Sequence, residues 1–198
     1  MRLAPLARAV ATGALFRADA SDVSHLAAYA ETDALGPLQR DEALLLYGAI
    51  RALRPQTVVE IGFYRGRSAF NFLRALDHDA RLYAFDIDPQ SETLASELFG
   101  HDERLRFALR SQDSITASDI DNRPVEFLFI DASHELGLNR RTFEAFEPLL
   151  AQRAIVAVHD TGTWPRQHLP ASTPSTQWRT PAGGLVTSMS ISPTSVPS

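Results

Sequence analysis

Four apolar runs of this chain end in acid: "TVVEIG" in Glu60, "RLYAFDID" in Asp86, "VEFLFIDA" in Asp131 and "AIVAVHDT" in Asp160. Carboxylates gathered on one edge can accept hydrogen bonds from ligand hydroxyls and ammonium groups, or share a hard divalent cation. His134 stands three residues after Asp131, and His159 directly precedes Asp160. A histidine so placed can take a proton from a nucleophile near neutral pH. After Glu60 comes a short loop, "IGFYRG", whose Gly62 and Gly66 let backbone pass close to a bound molecule.

Such residues act together only if their segments share a scaffold. The helical pattern of "RDEALLLYGAIRAL" puts Leu46, Ile50 and Leu53 on one face, and Pro55 ends it. "TVVEIG" follows as a buried strand, and "SAFNFLRAL" as a helix with Phe70 and Leu73 on one side. "RLYAFDID" is a second strand, and Pro89 opens a helix that Gly100 closes. "RLRFALR", "VEFLFIDA" and "AIVAVHDT" read as further strands, with a helix carrying Phe143, Phe146 and Leu150 before the last. Strands alternating with helices predict an α/β fold, a mostly parallel sheet with helices on both faces. Ligands of such sheets bind outside the carboxyl ends of the strands, so the four acids are expected on one rim.

Composition narrows the chemistry. At 198 residues, 44% hydrophobic and 22% charged, the chain suits one α/β domain with a sizeable core. A net charge of −5 gives no general attraction to nucleic acid or anionic membrane, so neither partner is expected. No run approaches the ~20 apolar residues of a membrane helix. Cysteine is absent, which removes disulfides, thiolate nucleophiles and cysteine zinc sites. Lysine is absent too, which removes Schiff-base chemistry and the phosphate-binding lysine of a P-loop. The first twenty residues carry Arg and no acid before Asp19, and read as an amphipathic surface helix rather than a targeting segment, with cytoplasm the expected location.

The glycine loop decides among ligands. A dinucleotide fingerprint needs a second glycine where Tyr64 stands, and a P-loop needs four residues between its glycines, against three here. The stretch from Glu60 to Gly66, E-x-G-x-x-x-G between a strand and a helix with Asp86 ending the next strand, resembles the first motif of class I S-adenosylmethionine-dependent methyltransferases. "IDASH" and "HD" are most similar to the catechol O-methyltransferase-like and antibiotic-tailoring branch. The resemblance spans roughly residues 40 to 162 and implies a Rossmann-like class I fold.

It also implies roles. Glu60, Gly62, Gly66 and Ser68 would hold the amino-acid part of S-adenosylmethionine, Asp86 its ribose, and Asp113 in "RSQDS" would meet the adenine. The reaction implied is O-methylation of a small-molecule acceptor, with His134 and Asp131 as catalytic residues. Asp131 and Asp160 would share Mg²⁺ or another divalent cation, although Thr161 stands where the catechol-type pattern has Asn. Two other readings stay open: a non-catalytic binder of the same cofactor, and a nucleotide-binding oxidoreductase. His159 is expected to pack against the sheet, and Arg65, Arg67, Arg140 and Arg141 to be solvated. Tyr64 and Trp164 are candidates for an acceptor pocket wall.

Three regions follow: an N-terminal helical region over 1–39, the cofactor-binding domain over 40–162, and an irregular Ser/Thr/Pro-rich tail over 163–198. The resembled family adds two strands after the one matching "AIVAVHD", the last antiparallel, and here only "GGLVTSMSIS" could supply one. The C-terminal strands are therefore expected to be missing or atypical. Permissible codons for "VTSMSISPTSVPS", read in a shifted frame, give "NEHEHQPDERAF", so a native tail and a frameshifted one both stay open. An uncovered sheet edge would favour a homo-oligomer.

Overall fold

The computed structural model describes residues 20–29, 38–133, 135–159, 177–179 and 185–191, the last two segments by backbone path. A 3₁₀ segment, Ala20–Ala28, precedes α1 (Arg40–Leu53). The chain then runs through β1 (Thr57–Ile61), α2 (Arg67–Ala75), β2 (Arg81–Asp86), α3 (Pro89–Phe99) and β3 (Leu105–Leu109). β4 (Val125–Ile130), α4 (Leu136–Phe146) and β5 (Leu150–His159) complete the central unit. The expected amphipathic helix over the first residues lies outside the described ones.

Local chemistry explains the boundaries. α1 stops at Arg54, whose left-handed conformation (φ 49°) turns the chain just before Pro55. α3 starts with Pro89 behind Asp88, whose carboxylate caps the Gln90 N–H, and stops at Gly100. β1 is buried at every position, as a strand covered on both faces must be.

With β6 (Gln177–Arg179) and β7 (Leu185–Ile191) beyond β5, the sheet order is β3-β2-β1-β4-β5-β7-β6, and β1 to β5 are all parallel. The order reverses between β1 and β4, which opens a crevice between their carboxyl ends. On one face, Val58, Leu82, Phe127 and Phe129 pack against Leu46 and Ile50 of α1 and Phe72 and Leu73 of α2. On the other, Val59, Ile61, Phe85, Leu128 and Ile130 pack under Phe146 of α4. Among the described residues, no helix is long and apolar enough to cross a membrane.

Three expectations need correction. Phe72, not Phe70, is the aromatic that α2 buries; Phe70 is on the outer side, because Ala69, Phe72 and Leu73 form the inward stripe. Leu150 opens β5 instead of closing α4, whose buried residues are Thr142 and Phe146. Within the stretch read as irregular, β6 (Gln177–Arg179) and β7 (Leu185–Ile191) extend the sheet. The "GGLVTSMSIS" segment does supply a strand. β7 runs parallel to β5 and β6 antiparallel to β7, so the antiparallel strand is a three-residue edge.

Candidate active site

Strand register sets the height of each acid. Ile61 is level with Phe85 of β2 and Ile130 of β4, so Gly62 is flanked by Asp86 on one side and Asp131 on the other. Glu60 lies two residues deeper, level with Ala84 and Phe129. It shares a face with Asp86 and Asp131, because strand side chains alternate. The single rim expected from sequence is thus two levels: Asp86 and Asp131 line the mouth, and Glu60 lies buried beneath it. Asp160 and His134 lie outside the described residues.

The crevice has a volume of about 680 Å³. Its walls include Gly62, Asp86, Asp113 and Asp131 beyond the ends of β1, β2, β3 and β4, with Ser68 of α2 and Leu38 ahead of α1. That size and mixture of apolar and convergent polar groups suit a drug-sized ligand.

Glu60 is fully buried, and neither carboxylate oxygen has a hydrogen-bond partner of ordinary geometry. Burial pushes its pKa up to about 8, helped by the charges of Asp131 and Asp86 and partly offset by the nearby Ser68 hydroxyl. A buried carboxyl left so is primed for a cationic or donating ligand group.

Asp86 is already engaged. One oxygen accepts the Tyr64 N–H at 2.7 Å; the other accepts Ile87 N–H at 2.7 Å and Asp88 N–H at 3.0 Å. It thereby holds Tyr64 in a left-handed conformation (φ 49°), with the Ser91 hydroxyl bonded to the Tyr64 carbonyl at 3.0 Å. Tyr64 itself stands exposed on the crevice wall.

The two glycines are required by protein atoms. A Cβ on Gly62 would lie 2.4 Å from the Asp131 carbonyl oxygen, and one on Gly66 would lie 2.8 Å from the rings of Phe63 and Phe99. Both have positive φ, 100° and 73°. Beside any ligand approach, the end of β4 and two core aromatics already leave these positions no room for a side chain.

Asp113 lines the crevice with its carboxylate exposed, held below the usual range by the Ser111 hydroxyl bond at 2.7 Å. Its neighbour Gln112 is buried and bonds Thr142 at 2.8 Å and Asn139 at 3.2 Å, fastening the loop after β3 to α4. Sequence reading missed Gln112, because a lone polar residue in a loop carries no period.

His159 departs most from expectation. Its Nδ1 lies 3.0 Å from Asp131 Oδ1 and its Nε2 lies 3.1 Å from Glu42 Oε2. Burial alone would lower its pKa, but the bonds to the two carboxylates raise it to about 10. Burial likewise works to raise Glu42, yet the bonds from His159 and the Gln39 N–H hold it below the usual range. Arg67 is also more than a solvated charge. It donates to the Leu38 carbonyl at 3.1 Å and its guanidinium lies 4.9 Å from the Tyr29 ring centre. Arg140 does sit exposed, paired with Glu144.

Among the described residues no group of three or more His, Cys, Asp or Glu side chains could hold a metal ion. Asp131 is the one described member of the expected cation pair, and His159 engages its Oδ1. These donors alone do not make a divalent site.

A family model described as "Methyltransferase domain" matches residues 59–161. Tapetum-specific methyltransferase 1 of Arabidopsis thaliana is 30% identical over 99 residues, covering 46% of this chain and 42% of that protein. Ribosomal RNA small subunit methyltransferase H of Thioalkalivibrio sulfidiphilus is 40% identical over 74 residues, covering 36% of this chain and 24% of that protein. The chain therefore spans less than half the length of these curated relatives. Among solved structures, the O-methyltransferase TomG from Streptomyces achromogenes, in complex with SAM, aligns with a TM-score of 0.54 at 20% identity. That match covers 73% of each chain. The O-methyltransferase from Bacillus cereus, in complex with SAH, gives 0.52 at 18% identity, covering 73% of this chain and 68% of that one. At these identities the structural likeness establishes the Rossmann-like class I fold.

Proposed function

Because this chain belongs to the methyltransferase-domain family, we propose that it is an S-adenosylmethionine-dependent enzyme that O-methylates a small molecule. The observation that carries this reading is the buried, unpartnered Glu60 carboxyl beneath a crevice whose mouth holds Asp86 and Asp131. The residues fit the cofactor. Glu60 answers its ammonium, directly or through water, and the N-terminus of α2 at Gly66 to Ser68 favours its carboxylate. Asp86 accepts from the ribose hydroxyls, and Asp113 stands on the adenine side. When bound, the cofactor supplies an electrophilic methyl on a sulfonium.

The chain's own part is alignment and proton removal. Asp131 orients the acceptor hydroxyl from the crevice mouth, and His134 takes its proton. No step is routed through a metal, since Asp160, the second expected ligand of the divalent cation, lies outside the described residues.

A thermal-shift comparison tests it. S-adenosylhomocysteine at ~100 times its dissociation constant should add about 2.7 kcal/mol of stability, with no shift from NAD or ATP. Release of S-adenosylhomocysteine should then be followed across a panel of small phenols and hydroxy acids. An equal shift from NAD, or none from S-adenosylhomocysteine, would show the assignment to be wrong.

A further inference from the structure

His159 and Glu42 are 117 positions apart in sequence, yet they meet in the interior. The His159 side chain is 3% exposed, Glu42 2% and Asp131 15%. The imidazole lies between the two carboxylates, its Nε2 hydrogen-bonded to Glu42 in the first turn of α1 and its Nδ1 3.0 Å from Asp131 at the end of β4. Glu42 Oε2 also accepts the Gln39 N–H at 2.8 Å. The preceding Leu38 lines the crevice, and its carbonyl takes the Arg67 guanidinium bond. Through Glu42, one imidazole thus links the chain at Leu38 and Gln39, of which Leu38 lines the crevice, to Asp131 on the other wall.

Stability alone is a poor reason for such an arrangement. Buried charged groups can often be replaced by apolar residues of similar volume at little or no cost. What an apolar residue cannot do is fix the orientation of a carboxylate and the distance between two segments.

We propose that His159 is a positioning residue of the crevice, its imidazole fixing the Asp131 carboxylate and the Leu38–Gln39 entrance to α1 relative to each other. Its consequence for catalysis rests on the methyltransferase reading; the clamp itself does not.

The test uses the full chain with ¹⁵N-labelled histidine, and the variants His159→Phe, His159→Gln and Glu42→Gln. The wild type should show a slowly exchanging Nε2–H signal from His159. It should vanish in His159→Gln and move in Glu42→Gln. His159→Phe keeps bulk but donates nothing. It should raise amide exchange at 38–43 and 131–133 together by ~10-fold or more, the loss expected for a charge-assisted bond, with β2 and β3 unchanged. Exchange that rises at only one segment or at neither, or a rapidly exchanging Nε2–H in the wild type, overturns the proposal. If S-adenosylhomocysteine fails to bind the wild type, the functional reading falls, while the ring signal and exchange pattern still decide the clamp.

Discussion

A Cβ on Gly62 would stand 2.4 Å from the backbone carbonyl oxygen of Asp131. The glycine loop and the β4 carboxylate are therefore built against each other. Because the obstructing atoms are backbone, they cannot swing aside. Gly62→Ala should destabilise the chain by ~3 kcal/mol or more, adding left-handed strain to displacement of β4. Urea unfolding measures this directly.

Gly66→Ala meets a softer obstacle. The near atoms are ring edges of Phe63 and Phe99, which can tilt, although φ is again positive. The cost should be smaller, ~1–2 kcal/mol. A larger loss at Gly66 than at Gly62 would contradict this ordering. Gly66→Val should unfold the chain before it tests ligand access.

Glu60 makes stability depend on pH. Its folded pKa of about 8 lies above the ordinary 4.5, so the folded chain keeps a proton that the unfolded chain releases. The associated stability is fully present below 4.5 and is lost as pH rises through 8, a few kcal/mol in order of magnitude. Glu60→Gln should flatten that slope and stabilise the free chain above pH 8. The same variant should weaken S-adenosylhomocysteine binding more than tenfold, since the ammonium loses its anionic partner. Denaturation from pH 5 to 9, with and without ligand, separates the two effects.

Asp86 serves the loop before it serves any ligand. In Asp86→Asn the amide group that replaces one oxygen cannot accept, so the Tyr64 N–H or the Ile87 and Asp88 pair loses its acceptor. A loss of ~1–2 kcal/mol is expected. Ligand affinity should fall by a further factor of ten or more, read by calorimetry. Unchanged affinity would remove Asp86 from the ribose role.

Buried Gln112 offers a control on loop placement. Gln112→Leu removes the bonds to Thr142 and Asn139 that tie the loop after β3 to α4. The Thr142 hydroxyl still donates to the Leu138 carbonyl, so the loss of stability should stay near ~1 kcal/mol. Exchange at 110–115 should rise, while β1 and β2 stay protected.

The sequence by itself determined the order of strands and helices, the α1, α2 and α3 boundaries and the acids at the strand ends. Those features are local. Burial on both faces writes continuous apolar runs, and caps such as Asp88–Pro89 and Gly100 leave signatures within a few residues. It also placed a glycine loop between β1 and α2, to which the structure adds crowding by Asp131, Phe63 and Phe99. What only the tertiary structure decided is relative height and pairing. Glu60 lies one layer below Asp86 because the parallel register sets Ile61, not Glu60, level with Phe85. His159 reads as a packing residue along the chain, since the two carboxylates that claim it lie on β4 and α1. Their meeting depends on how α1 packs across the sheet, a contact between distant segments that no local periodicity can encode.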